Sequence, residues 1–340
     1  MTKIINQKTE INDELLVASN ALKEGKLVIF PTETVYGLGA DATNEEAVKN
    51  IFIAKGRASD NPLIVHISSK EQINEVVTQI NDIEQKLINK FMPGPFTLIL
   101  PKKNNICETV SASLDTIGVR IPDSDIARQL IKFSGRPIAA PSANISGRPS
   151  GTRVEDIFDE FNGRVDYIVD GGESNVGIES TVVRVINNVP VILRPGKVTK
   201  EEIVEVVGIC KIDDNIFKKA EGVVLSPGMK YKHYAPNAKC LLIYSDDINK
   251  LIKTVNDNVS TNTTVIGFNE LEDNIKCNKY YKLGSINNLD EISHNIFKLL
   301  RVTDKENPDL IIIMGVPKKG LGLALMNRLL RSCSYNYIEI

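Results

Sequence analysis

Short apolar runs alternate with amphipathic stretches along most of this chain. The spacing predicts a helix over Asp13–Glu24, with Leu15, Leu16, Ala18 and Leu22 turned inward and Gly25 as its stop. Leu27–Phe30 is too short and too uniformly apolar for anything but a buried strand. Asn44 can cap a helix running through Ala47, Val48 and Ile51 to Ala54, with Glu45 and Glu46 in the turn that favours negative charge. Strands are expected at 63–67, 96–100, 117–121, 138–140 and 167–169. Helices are expected at 70–79, 83–91, 125–133 and 200–207. The runs 181–186 and 189–193, separated by Asn187-Asn188, read as a hairpin. Strands crowd the end of this part, which points to a mixed rather than a purely parallel sheet.

Periodicity fades over 211–239 and returns at Cys240. Strands are then expected at 241–244, 264–268, 279–283 and 310–314, with helices at 247–255, 289–302 and 321–332. This alternation predicts a smaller, Rossmann-like α/β domain. The division expected is therefore 1–210, a connector over 211–239, and 240–340. The connector holds Ser226-Pro227-Gly228-Met229-Lys230-Tyr231-Lys232-His233-Tyr234-Ala235-Pro236. Its prolines argue for extended chain, and its tyrosines and lysines suit a segment that docks on something rather than a plain spacer.

Bulk composition narrows the function classes. A net charge of −2 gives no whole-protein electrostatic footprint for nucleic acid, although a local basic patch stays open. Five scattered cysteines with no Cys-x-x-Cys pair, and only three histidines, argue against a zinc site. They suit reduced thiols in a cytoplasmic protein. The first residues lack the apolar core of a signal peptide, and no run is long enough to span a bilayer. No Walker A pattern occurs, and Ser142 with His66 does not make a hydrolytic triad.

The candidate chemistry lies in loops at strand ends, where α/β proteins bind ligands. Pro31-Thr32-Glu33-Thr34-Val35-Tyr36-Gly37-Leu38-Gly39-Ala40-Asp41 follows the first buried run, and Ala54-Lys55-Gly56-Arg57 closes the next helix. Lys55 and Arg57 diverge on an ideal helix and converge only if the helix stops near Gly56. They then suit an anion, Arg57 with a planar fork and Lys55 as a compact charge; the same pair also suits a solvated helix end. Pro141-Ser142-Ala143-Asn144 through Ser150-Gly151 packs hydroxyls, an amide and glycines beside a buried strand, as a phosphate cradle or as an ordinary surface loop. Further polar segments are Gly171-Gly172-Glu173-Ser174, Gly177-Ile178-Glu179-Ser180-Thr181 and Arg194-Pro195-Gly196. Arg120 ends a strand that Thr116 begins. His66 interrupts the apolar run 63–67, as a ligand contact or a core histidine. Gly315–Gly322 precedes a helix and could bind an anion there or simply connect.

In this order, the motifs resemble the YrdC family of threonylcarbamoyl-AMP synthases in its longer, two-domain form. The match is carried by Pro31–Leu38, Lys55-Gly56-Arg57, Asn61-Pro62-Leu63, Pro93-Gly94-Pro95, Gly118-Val119-Arg120-Ile121-Pro122, Pro141-Ser142-Ala143-Asn144 and Ser180-Thr181. Leu193-Arg194-Pro195-Gly196, Ser226-Pro227-Gly228, His233-Tyr234-Ala235-Pro236 and Gly320-Leu321-Gly322 match the longer branch. The resemblance implies a YrdC-like mixed twisted sheet with helices, followed by the Rossmann-like domain. It implies a nucleotidyltransferase that joins L-threonine, bicarbonate or CO2, and ATP to give L-threonylcarbamoyladenylate and pyrophosphate for the threonylcarbamoyladenosine modification of tRNA. By the same resemblance, Thr34, His66, Arg120, the backbone at Ala140, and Ser180 surround threonine. Lys55, Arg57, Asn61, Thr116, Ser142, Asn144, Ser150, Arg194 and Tyr231 meet ATP. Lys55 and Arg57 carry the catalytic charge, and Tyr231 folds over the nucleotide as part of a lid. Mg2+ arrives with the triphosphate rather than in a protein cage, and a downstream tRNA-threonylcarbamoyl transferase machinery takes the product. Two other readings stand beside this one: a double-stranded RNA-binding module, and a carbamoyl-transfer enzyme acting on a protein.

Overall fold

The computed structural model describes residues 1–7, 13–218 and 234–340. Two sheets organise them. The first has eleven strands in the order Lys3–Asn6, Tyr167–Asp170, Val28–Phe30, Gly37–Asp41, Ile138–Ala139, Ile64–His66, Thr116–Arg120, Phe96–Pro101, Thr181–Ile186, Val189–Arg194 and Lys211–Ile212. Parallel and antiparallel pairings alternate irregularly through it, so it is the mixed sheet expected. The hairpin turns at Asn187 and Asn188, whose φ values of 49° and 62° are those of a two-residue type I′ connection.

The second sheet has five strands, Lys279–Gly284, Thr263–Phe268, Leu310–Met314, Lys239–Tyr244 and Tyr337–Glu339, and every pairing is parallel. Helices Ile248–Asn258, Leu289–Asp304 and Leu321–Ser332 cover it. The layering is that of a Rossmann-like domain.

Local chemistry sets the boundaries. Asn44 accepts from the backbone N–H groups of Glu46 and Ala47, starting helix Glu45–Lys55, and Gly56 ends it in the left-handed region at φ 59°. Several elements differ from the expectation. Gly37–Asp41, expected as part of a loop, is a buried strand. A Cβ on Gly39 would lie 2.7 Å from the Phe30 ring, so the glycine serves strand packing rather than a bend. The helix expected over 70–79 is only Ile73–Val76, because the chain turns extended at Val77 to pair with Lys102. Several elements go unanticipated, among them strands Lys3–Asn6, Lys211–Ile212 and Tyr337–Glu339, and helix Val154–Phe161, which buries Val154, Ile157 and Phe161 at helical spacing.

The domains meet over an apolar seam. Val35 and Ile178 of the first domain belong to the same buried cluster as Ile292, Ile296 and Phe297 of the second. No helix among the described residues is long and apolar enough to cross a membrane.

Candidate active site

The pocket opens where strand ends of the large sheet meet this seam. Thr32, Thr34, Val35, Tyr36 and Gly37 form one wall. Ile64, His66 and Arg120 form a second. Ala140, Pro141, Ser142 and Asn144 form a third, and Glu179, Ser180, Arg194 and Tyr234 a fourth, with Arg57 at the rim. The register explains the second wall: His66 and Arg120 are direct partners in a parallel pair, so both strands deliver their polar ends together.

Arg120 is buried and well held. Its Nε donates to the Gly94 carbonyl at 3.3 Å, and its Nη2 lies 2.8 Å from Glu33 Oε2. Held on two sides by main chain and carboxylate, the guanidinium has a fixed plane, which suits fork-like recognition of a carboxylate. His66 is buried beside it. Burial first, and the Arg120 charge second, lower its pKa to about 3, so the ring is neutral at pH 7. Phe30 meets it edge-on at 6.1 Å between ring centres.

Thr32 and Thr34 bond through their hydroxyls at 2.8 Å, and Thr32 also donates to the Val35 carbonyl at 2.6 Å. Opposite them, Thr97 and Ser180 share a 2.8 Å hydroxyl contact. Small hydroxyls therefore line two sides of the cavity in fixed orientations.

The nucleotide-side candidates divide. Arg57 reaches the rim, where its Nη2 donates to the Asn61 carbonyl at 3.2 Å and its guanidinium lies 5.9 Å from the Phe52 ring centre. Arg194 is buried and donates to the Ser180 carbonyl at 2.9 and 3.2 Å and to its hydroxyl at 3.1 Å. Burial lowers its pKa to about 10, which leaves it charged at neutral pH. Ser142 donates to Asn144 Oδ1 at 2.6 Å.

Lys55 lies beneath the loop rather than in the pocket lining. Its Nζ donates to the carbonyls of Ser142 at 2.5 Å and Asn144 at 2.6 Å. Burial, and then Arg57, hold its pKa well below the usual lysine value. Lys55 Nζ thus ties together two carbonyls of the loop that lines the third wall. Asn61, Ser150 and Thr116 also stand outside the lining. The Asn61 side chain is fully buried and neither of its polar atoms has a partner among the described residues. Ser150 is buried and donates to Glu179 Oε1 at 2.6 Å. Thr116 begins the strand that Arg120 ends, roughly 13 Å away by strand rise. Tyr231 lies outside the described residues, as does the rest of the lid expected over Ser226 to Tyr234 except Tyr234 itself.

Several lining residues escape individual notice in the sequence, among them Glu179 and Tyr234. Glu179 has a signal, a carboxylate inside a glycine-rich polar run. Tyr234 has its place in the odd connector; it stacks on Phe297 at 5.1 Å. Among the described residues, no group of three or more His, Cys, Asp or Glu is placed to hold a metal ion.

A small cavity that gathers the guanidiniums of Arg57, Arg120 and Arg194 with the hydroxyls of Thr32, Thr34, Ser142 and Ser180 in its lining suits small anionic substrates. Comparisons with known proteins narrow the class. The family model Sua5_yciO_yrdC, described as telomere recombination, matches residues 20–196. The model for the threonylcarbamoyl-AMP synthase C-terminal domain matches residues 198–334. The threonylcarbamoyl-AMP synthase of Pyrococcus abyssi is 43% identical over the whole of both chains. That of Bacillus subtilis is 40% identical, over 98% of this chain and 97% of its own. The solved structure of P. abyssi Sua5 complexed with L-threonine superposes with a TM-score of 0.95 at 42% identity, covering all of both chains. A putative threonylcarbamoyl-AMP synthase of Methanocaldococcus jannaschii is 38% identical over only 55% of this chain, which is 90% of its own length. The chain belongs to the Sua5/YrdC family of threonylcarbamoyl-AMP synthases, in the form that carries the additional C-terminal domain. It is a transferase that makes an adenylate.

Proposed function

We propose that this pocket holds L-threonine against Arg120 and ATP against Arg57 and Arg194, and joins them through bicarbonate or CO2. The observation that carries the reading is the arrangement of charge: three guanidiniums, Arg57, Arg120 and Arg194, in one cavity lined by small hydroxyls. The threonine carboxylate would pair with Arg120, and its hydroxyl and amine would meet Thr34, Ser180, neutral His66 and the backbone at Ala140. A charge-assisted contact of this type contributes about 1.5–3 kcal/mol.

The amine attacks CO2, forming an N–C bond and losing one proton to water. A carbamate oxygen then attacks the α-phosphorus. The bond to the bridging oxygen breaks, and pyrophosphate leaves. Arg57, Arg194, Ser142 and Asn144 would offset charge on the phosphates. Lys55, Asn61 and Ser150 act one layer behind, Lys55 by tying together two carbonyls of the loop that lines the third wall. Thr116 meets ATP only if the triphosphate extends well beyond the cavity. Catalysis here is positioning and charge neutralisation rather than proton transfer by a side chain. Mg2+ would enter on the triphosphate and neutralise phosphate charge, since oxygen donors of that kind are what it prefers. The adenylate then serves as the threonylcarbamoyl donor for tRNA-modifying machinery. The five cysteines are unpaired, as suits a cytoplasmic enzyme.

The test is pyrophosphate release with labelled bicarbonate. Release that requires both threonine and bicarbonate, with label in the adenylate and weaker use of serine, supports the reading. Release independent of bicarbonate overturns it.

A further inference from the structure

The second domain inserts a fully buried arginine behind the pocket. Arg328 lies on helix Leu321–Ser332 with no solvent exposure. Its Nε donates to Glu179 Oε2 at 3.0 Å, and its Nη1 donates to the Pro195 carbonyl at 2.6 Å. Its guanidinium carbon lies 5.8 Å from the centre of the Tyr234 ring. Each of those three partners is a pocket residue or the chain neighbour of one. Glu179 passes the contact on, because its other oxygen accepts from the Ser150 hydroxyl at 2.6 Å.

The same loop is held a second time. Arg301, on helix Leu289–Asp304, donates to the carbonyls of Pro149, Ser150 and Asp156 and pairs with Glu160 at 2.9 Å. Ser150 is thus fixed at its hydroxyl through Arg328 and Glu179, and at its carbonyl through Arg301. The second domain supplies both cations.

A carboxylate in the wall of a pocket for a triphosphate is unfavourable unless a cation offsets it. Burial pushes the Glu179 carboxyl up, but Arg328 and then Arg194 outweigh that and hold it below the usual carboxylate range. Without Arg328, Arg194 would be the remaining pocket cation drawn toward Glu179, and so away from a phosphate.

We propose that Arg328 is a positioning residue for the nucleotide: by pairing with Glu179 it fixes Ser150 and leaves Arg194 available to the triphosphate, so the second domain completes the ATP half of a pocket built by the first. This rests on the reading of the pocket given above.

The experiment compares the wild type with Arg328→Met, Arg328→Lys, Glu179→Gln and the double variant Glu179→Gln/Arg328→Met, using the full chain. Binding of L-threonine and of a non-hydrolysable ATP analogue is measured by calorimetry, and pyrophosphate release is measured alongside. Arg328→Met is expected to weaken the ATP analogue at least tenfold and threonine by less than twofold. Arg328→Lys should recover part of the loss. The double variant should bind the analogue better than Arg328→Met alone, because the uncompensated charge is gone. Equal losses for both ligands, or a double variant no better than Arg328→Met, would overturn the proposal and leave a purely architectural arginine. If Arg328→Met does not fold, the comparison of Glu179→Gln with wild type decides. A normal analogue affinity in Glu179→Gln with a disturbed threonine affinity would contradict the proposal, and the reverse supports it. Wild-type enzyme that lacks threonine-dependent pyrophosphate release would instead count against the pocket reading itself.

Discussion

The two domains use polar residues in opposite ways. The first exposes its chemistry in loops at strand ends, where small hydroxyls, an amide and glycines follow one another in sequence. The second is a regular parallel sheet whose important polar groups are buried single arginines on helices, facing the other domain. Arg120 is fixed by neighbours from its own domain, Gly94 and Glu33. Arg328 has its principal partners in the other one, Glu179 and Pro195. A pocket can therefore be encoded locally while the support behind it is encoded at a distance.

Removing the local anchor puts this contrast under the most strain. Arg120→Ala should lower kcat/KM for threonine by about a hundredfold, the loss expected when a charged contact worth about 1.5–3 kcal/mol disappears. ATP-analogue affinity should stay near wild type. Loss of both equally would mean that Arg120 supports the whole pocket and is not specific to the amino acid.

Next in size is the seam. Gly177 has φ 82°, and a Cβ there would lie 2.3 Å from the Ser293 carbonyl oxygen and 2.6 Å from His294 Cα. Gly177→Ala must therefore push the second domain away or strain the backbone, at a cost of about 1–3 kcal/mol. A lowered melting temperature with weakened ATP-analogue binding is expected. An unchanged melt would show that the seam yields easily.

A smaller and more graded effect comes from His66. Its folded pKa of about 3 lies below the ordinary histidine value of 6.5, so the unfolded chain binds the extra proton between them. Stability contributed by the neutral ring is complete above pH 6.5 and declines as pH falls toward 3. The decline approaches ~1.4 kcal/mol per pH unit. Denaturation at several pH values should show His66→Gln lacking this slope. An identical slope in both proteins would place the titration elsewhere.

Much of the first domain is legible because its signals are local. Asn44 and Gly56 mark the two ends of one helix by capping and handedness, and Asn187-Asn188 announces its hairpin. The loop residues Thr34, Ser142 and Asn144 and the strand-end Arg194 stand out in their polar segments, and the fold places them around one cavity. Strand Gly37–Asp41 is hidden because its glycines mimic a turn, and only the Phe30 ring above Gly39 explains them. Helix Val154–Phe161 is lost behind a polar loop although its apolar spacing is present. Lys55 reads as a ligand-facing cation, whereas its environment depends on where the 141–144 loop folds back. Arg328 cannot be read at all. It sits among apolar positions of an ordinary helix, and its partners are 133 and 149 residues away in the chain.

Everything rests on one cavity holding the amino acid and the nucleotide side by side. Crystals soaked with L-threonine and a non-hydrolysable ATP analogue test it most directly. The expected result is the threonine carboxylate on Arg120 and the phosphates between Arg57 and Arg194, with the amine turned toward the α-phosphorus. Ligands found in separate, unconnected hollows would contradict it.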